Sequence, residues 1–191
     1  MTPDERRRAL IDATRPLLLE HGTTITTRQI AEAAGVAEGT IFRAFDTKQA
    51  LIEAVVDDCL SPEPLVEVLA AIPDDFGLED AVTWVIKAMQ ARTTQFRSLM
   101  MALNPDGRHG PPRRPAHEDY HRRVNQALTD LLTRFDDQLR VGTPTACWAI
   151  TAMSFAASMP FLDHPDATDP RQVARIILGG IAAPVPQEAS C

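Results

Sequence analysis

The sequence predicts an all-α fold, and three features predict it. Apolar residues recur at the 3.6-residue helical period along most of the chain. Strand-like alternation of apolar and polar residues is nearly absent. Prolines, glycines and small hydroxyl or acidic residues stand where helices would start and stop. Together these predict two helical parts: a three-helix helix-turn-helix at the N-terminus and a larger helical domain behind it.

A first helix is expected over about 3–20, with Ala9, Leu10, Ala13, Leu17 and Leu18 as its apolar stripe and Gly22 as its terminator. The second carries the clearest start signal in the chain. Thr26 and Gln29 have the spacing of a capping box, and Ile25 and Ile30 that of a hydrophobic staple. It should end near Ala34, where Gly35 supplies the turn. A short helix over about 38–44 follows, then a fourth that Asp46 or Thr47 caps and that runs to about Leu60. Ser61-Pro62 and Pro64 mark a boundary. The reading is a helix-turn-helix domain over 1–48, a connecting helix over 49–61 and a further domain over 62–191. Within the last, helices are expected near 64–72, 77–91, 92–103, 117–139, 144–159 and 170–182, the final two opening at Thr143-Pro144 and Asp169-Pro170. The stretch 104–116, with four prolines and two glycines, is expected to be a loop, and the tail after 182 to be loose.

Composition narrows the function classes. Hydrophobic residues make up 45% of the 191, enough for a core, and no run reaches the roughly 20 apolar residues of a membrane helix. The charged, periodic N-terminus is unlike a signal peptide, and three cysteines without metal-ligand spacing suit a reducing compartment, so a cytoplasmic chain without membrane contact is expected. Net charge is −7 and uneven. Residues 1–48 hold seven basic and seven acidic residues, and the rest carries the whole excess. A neutral head on an acidic body would turn the head towards a polyanion.

The segment TTRQIAEAAGVAEGTIFRAFDTKQAL, 26–51, has the parts of a helix-turn-helix. Ala31 allows close helix approach, Gly35 turns the chain, and Val36, Ile41 and Phe45 seal the angle against Ile30 and Ala34. Its second helix then presents Glu38, Gly39, Thr40, Arg43 and Ala44, a small, hydrogen-bonding face that suits a major groove. The spacing alone also fits an ordinary helical hairpin. Over about residues 5–52, however, the long first helix, TTRQIAEAAGV, EGTIFRAF and DTKQAL resemble the DNA-binding domain of the TetR family of repressors. The remainder is similar to that family in length and helical character only.

The resemblance implies roles. Thr26 and Thr27 would meet a phosphate at a helix start, and Arg28 and Arg43 would read base edges or phosphate. Glu38, Gly39 and Thr40 would open the recognition helix, Phe42 would pack on a sugar or thymine methyl, and Lys48 would clamp the backbone. Arg6, Arg7 and Arg8 would add flanking phosphate contacts, or form a solvated face. Two departures stand out: Phe42 where the family usually has tyrosine, and Ala37 where a hydroxyl cap is usual. The resemblance further implies a homodimer through about 144–182, a double-stranded, near-palindromic operator, no cofactor, and a largely apolar effector. For the effector cavity, Trp84, Met89, Phe96, Met100, Phe135 and Trp148 are the candidates, with plain core packing as the alternative.

One motif points elsewhere. His117-Glu118-Asp119-Tyr120-His121 matches H-E-x-x-H, whose two histidines share a helix face and could hold zinc. Its position at the start of a helix after PPRRPA argues against a buried metal site, so no metal ligand and no catalytic residue is assigned. The expectation is a ligand-responsive transcriptional regulator, a repressor by preference. A helical interaction protein without DNA binding, or a metal-dependent hydrolase, are the alternatives.

Overall fold

Local capping chemistry sets the first helices. The structure, a computed structural model, describes residues 2–104, 115–159 and 168–181. Among the described residues there are helices and no strand. They are α1 (Pro3–His21), α2 (Thr27–Ala33), α3 (Glu38–Ala44), α4 (Lys48–Cys59), α5 (Glu63–Ala70), α6 (Leu78–Leu103), α7 (Pro115–Thr133), α8 (Thr143–Ala156) and α9 (Pro170–Ile181). Thr2 with Glu5 and Thr26 with Gln29 form complete capping boxes at α1 and α2, and the Thr47 hydroxyl accepts the Ala50 N–H at α4. Each satisfies N–H groups that a helix start leaves without a partner.

The chain divides into two compact units. The first comprises residues 1–61 and 95–118, so the last turns of α6 belong to it. Its core is Leu10, Leu18, Ile25, Ile30, Ile41, Phe45, Leu51, Val55 and Leu99, all buried. Gly22 ends α1 with φ 58°, and a Cβ there would stand 2.7 Å from the Ala102 carbonyl oxygen. Both the backbone angle and the close approach of α6 therefore require glycine.

The second unit comprises residues 62–94 and 119–191. Leu65, Leu69, Val82, Val85, Ile86, Leu128, Leu132, Cys147, Ile150, Val173 and Ala174 form its core. Arg134 donates to the Pro73 carbonyl at 2.9 Å and Arg140 to the Gly179 carbonyl at 2.7 Å, fastening segments that share no regular pairing.

Three expectations change. The helices expected at 77–91 and 92–103 are one helix, because no glycine or proline interrupts the chain from Leu78 to Leu103. The helix expected to reach Leu139 ends at Thr133 and gives way to a short 3-10 turn over Asp136–Gln138. The domain expected over 62–191 does not keep all of α6 to itself. His109, Arg113 and Arg114, which the sequence offers as a gate to an effector cavity or as a plain solvated loop, and the tail after Ile181 lie outside the described residues.

Candidate functional site

The helix-turn-helix is built from α2 and α3. Gly35 lies at φ 66° with nothing within 4 Å of where its Cβ would be, so backbone conformation, not space, demands glycine there. The Val36 N–H donates to the Ala31 carbonyl at 2.9 Å and closes the turn. Ile30, Ala31, Ile41 and Phe45 are buried behind it. This orientation leaves Glu38, Gly39, Phe42 and Arg43 on the outer face of α3, with Thr40 half-buried. Phe42 is 53% exposed, an aromatic ring with no place in the core. Ala37 has the extended backbone of a cap, φ −71° and ψ 144°, but no side chain to cap with.

Hydrogen bonding sorts the candidate residues into those held by the protein and those left to a ligand. Thr26 is engaged with Gln29, its hydroxyl accepting the Gln29 N–H at 3.2 Å and donating to Oε1 at 2.8 Å. The Thr27 hydroxyl donates to the Glu38 carboxylate, tying the start of α2 to the start of α3. Lys48 Nζ donates to the Thr23 carbonyl at 3.0 Å and the Ile25 carbonyl at 2.8 Å. Expected as a free clamp, it also fastens the α1–α2 connection, because two outward carbonyls converge on its ammonium. Arg28 and Arg43 are exposed and form no ion pair among the described residues.

Arg7, Arg8 and Arg15 of α1 bond within the fold, where the sequence left Arg6–Arg8 either as a solvated face or as flanking phosphate contacts. Arg7 Nη1 donates to the Ala44 carbonyl, and its guanidinium lies 4.1 Å from the Phe45 ring centre. It thus caps α3, where a cation suits the helix C-terminus. Arg8 and Arg15 both pair with Asp58 of α4. The Asp58 charge foremost, and Asp12 with it, hold the Arg8 guanidinium above its ordinary pKa, with burial opposing. Neither the Arg7 contact nor the Arg15–Asp58 pair has a local sequence signal, since the partners stand 37 and 43 residues apart.

The second unit contains a partly open cavity of about 510 Å³. Its lining comes from Met89 and Thr93 of α6, from Tyr120, His121, Arg122, Val124 and Asn125 of α7, and from Pro144, Trp148, Thr151, Ser154 and Phe155 of α8. The Tyr120 phenol is held above its ordinary pKa by burial, which outweighs the opposing Arg92 charge and hydrogen bond. Half of the lining residues are polar, more than the expected apolar site.

Of the expected cavity residues, Met89 and Trp148 line it. Phe96 and Met100 do not: they pack on the core of the first unit. A continuous α6 carries Phe96 about 10 Å along the axis from Met89. Phe135 is buried in the core of the second unit, and Trp84 is exposed with its ring edge-on to Phe76. Sequence reasoning did not assign Thr93, Asn125 or Thr151 to the cavity. The spacing of Pro144, Trp148, Thr151 and Phe155 was the available signal for α8. His121 lies on the lining, and the side chain of His117 lies outside the described residues. No three His, Cys, Asp or Glu side chains converge among the described residues.

Residues 10–55 match the bacterial regulatory proteins, tetR family. An uncharacterized HTH-type transcriptional regulator of Bacillus subtilis (strain 168), YvkB, is 46% identical over 57 residues, 29% of this chain and 29% of that protein. The match therefore spans under a third of that relative. Among solved structures, a putative TetR-family regulator from Mesorhizobium loti MAFF303099 superposes with a TM-score of 0.72 at 13% identity, covering 96% of this chain and 100% of that one. Escherichia coli NemR in its reduced form gives 0.64 at 18% identity, covering 94% and 100%. Bacillus subtilis FadR, solved with stearoyl-CoA, gives 0.57 at 17% identity, covering 91% and 98%. At these identities the structural likeness speaks for the fold.

A buried-cored helix-turn-helix followed by an all-helical unit is the fold these structures share. Residues 10–55 match the tetR-family domain of bacterial regulatory proteins, and over the rest of the chain the likeness is one of fold.

Proposed function

We propose that the protein is a ligand-responsive repressor that binds a near-palindromic operator as a homodimer. The observation that carries this reading is the outer face of α2 and α3. Arg28, Gly39, Phe42 and Arg43 are exposed there, within the segment that matches the family, and neither arginine is neutralised by a carboxylate among the described residues. Guanidinium groups suit guanine edges and phosphates, a bare Gly39 admits close approach, and Phe42 suits a thymine methyl. Thr26, Thr27 and Glu38 hold the two helix starts in register, and Thr40 begins the buried side of the recognition helix. Lys48 serves as a positioning residue first and retains one N–H donor for phosphate.

Proteins of this family bind DNA as dimers, and many respond to small molecules. α8 and α9 pack on each other and supply the natural surface for pairing over about 144–182. The cavity supplies a ligand site, a reading favoured by the neighbour FadR, which holds stearoyl-CoA. α6 lines the cavity at Met89 and Thr93 and continues into the head core at Leu99. A ligand acts on the operator only by preferring the conformer that does not bind DNA.

The test is binding to the DNA upstream of the protein's own gene against shuffled DNA at fixed, near-physiological salt. We expect preference for the native fragment, reduced about 10- to 100-fold by Arg43→Ala, which corresponds to the loss of one bidentate base contact. Indifference to Arg43→Ala in a protein that retains operator preference would remove α3 as the reader.

A further inference from the structure

α3 is too short to hold itself. It has 7 residues, and helices shorter than about 12–15 residues are marginal in water without outside support. Its start has no side-chain cap, because Ala37 stands at the cap position. Its end leaves carbonyls without helical partners, as every helix end does. The Phe45 N–H donates to the Ile41 carbonyl at 2.8 Å, and Phe45 itself, at φ −140° and ψ 127°, has already left the helix.

Side chains from two other helices tie it down. At the start, the Thr27 hydroxyl of α2 donates to the Glu38 carboxylate. At the end, Arg7 of α1 donates from Nη1 to the Ala44 carbonyl, and its guanidinium lies 4.1 Å from the centre of the buried Phe45 ring. A single planar cation thus holds the last carbonyl of α3 and the first residue beyond it. Its charge also suits the partial negative charge of a helix C-terminus. Arg7 has no ion pair among the described residues, whereas its neighbour Arg8 pairs with Asp12 and Asp58. Ala44 is bonded directly to Arg43, whose side chain is exposed on the outer face. Hydrogen bonds to a base edge weaken steeply outside a narrow range of distance and angle, so a small shift of that last turn misplaces the Arg43 guanidinium.

We propose that Arg7 is a positioning residue for base reading: from α1 it fixes the end of α3, and with it the direction in which Arg43 leaves the helix. Operator preference then depends on a residue that itself touches no DNA. This rests on the reading above that the outer face of α3 meets DNA. A phosphate contact is the competing use of the same guanidinium, and its loss weakens binding to all sequences alike.

The test uses the full-length chain, a duplex that the wild-type protein selects from a random library, and a scrambled duplex of the same composition. Arg7→Met keeps an unbranched stem and removes the donors. Its preference for the selected duplex over the scrambled one is expected to fall at least about fivefold, the weakening of one base contact. Affinity for the scrambled duplex, and its salt dependence, are expected to stay as in the wild type. Arg7→Lys keeps a cation and a donor and is expected to restore most of the preference. Each variant is measured where urea denaturation shows it fully folded, since a merely structural role lowers stability and leaves the preference intact. Should Arg7→Met fail to fold, Arg7→Gln, whose amide is too short for the Ala44 carbonyl, carries the same expectations. An unchanged preference overturns the proposal, as does an Arg7→Lys chain with no recovery. Equal loss on both duplexes, with a salt slope shallower by about 1.8 for a dimer, also overturns it and marks a direct phosphate contact. A library from which the wild-type chain enriches nothing overturns the DNA reading and this proposal with it, a pattern distinct from the others.

Discussion

Lys48 joins two backbone carbonyls, at 3.0 and 2.8 Å, to the start of α4. Hydrogen bonds from a charged donor each contribute about 1.5–3 kcal/mol. Lys48→Met keeps the stem and removes the ammonium, and is expected to lower unfolding stability by about 3 kcal/mol, the low end for two such bonds because Lys48 is only half-buried, in urea denaturation with an unchanged denaturant slope. A pure phosphate clamp would instead lose DNA affinity with stability intact. Thr27 and Glu38 are a comparable case: the carboxylate that opens α3 already accepts a hydrogen bond from the Thr27 hydroxyl. A residue type announces what chemistry is available, whereas its neighbours decide which partner it meets.

The helix-turn-helix elements were legible because their signals are local. The Thr26–Gln29 box, the Ile25–Ile30 staple and Gly35 act within a few residues of one another, and the structure has each in its expected place. Ala37 belongs to the same scale. Its backbone already has the cap conformation, and Ala37→Ser supplies the missing acceptor for the first N–H groups of α3. We expect a gain of about 0.5–1 kcal/mol, read as a higher melting temperature. No change in melting temperature would mean that the α3 start is already satisfied without a side-chain cap. α6 shows the opposite case. Its apolar stripe serves the second unit up to Met89 and the first at Leu99, and that change of partner looked in sequence like a helix boundary.

The whole molecule is acidic, yet the outer face of α2 and α3 has two exposed cations, Arg28 and Arg43, that no carboxylate neutralises among the described residues. The proposed dimer would double them. Counting Arg28, Arg43 and Lys48 in each protomer, the logarithm of operator affinity against the logarithm of salt concentration should then fall with a slope no steeper than about −5. A clearly steeper slope would mean that further cations, such as Arg6, reach phosphate. The sequence by itself determined the helical class, the helix starts, the turn glycines and the family of the head, because capping, periodicity and φ restrictions act over one or two helical turns. Only the tertiary structure decided that Phe96 and Met100 belong with the head and Phe135 with the core, that Arg7 caps α3, and that Trp148 and Phe155 share an open wall. Those outcomes depend on contacts between residues far apart in the chain, which no local pattern encodes.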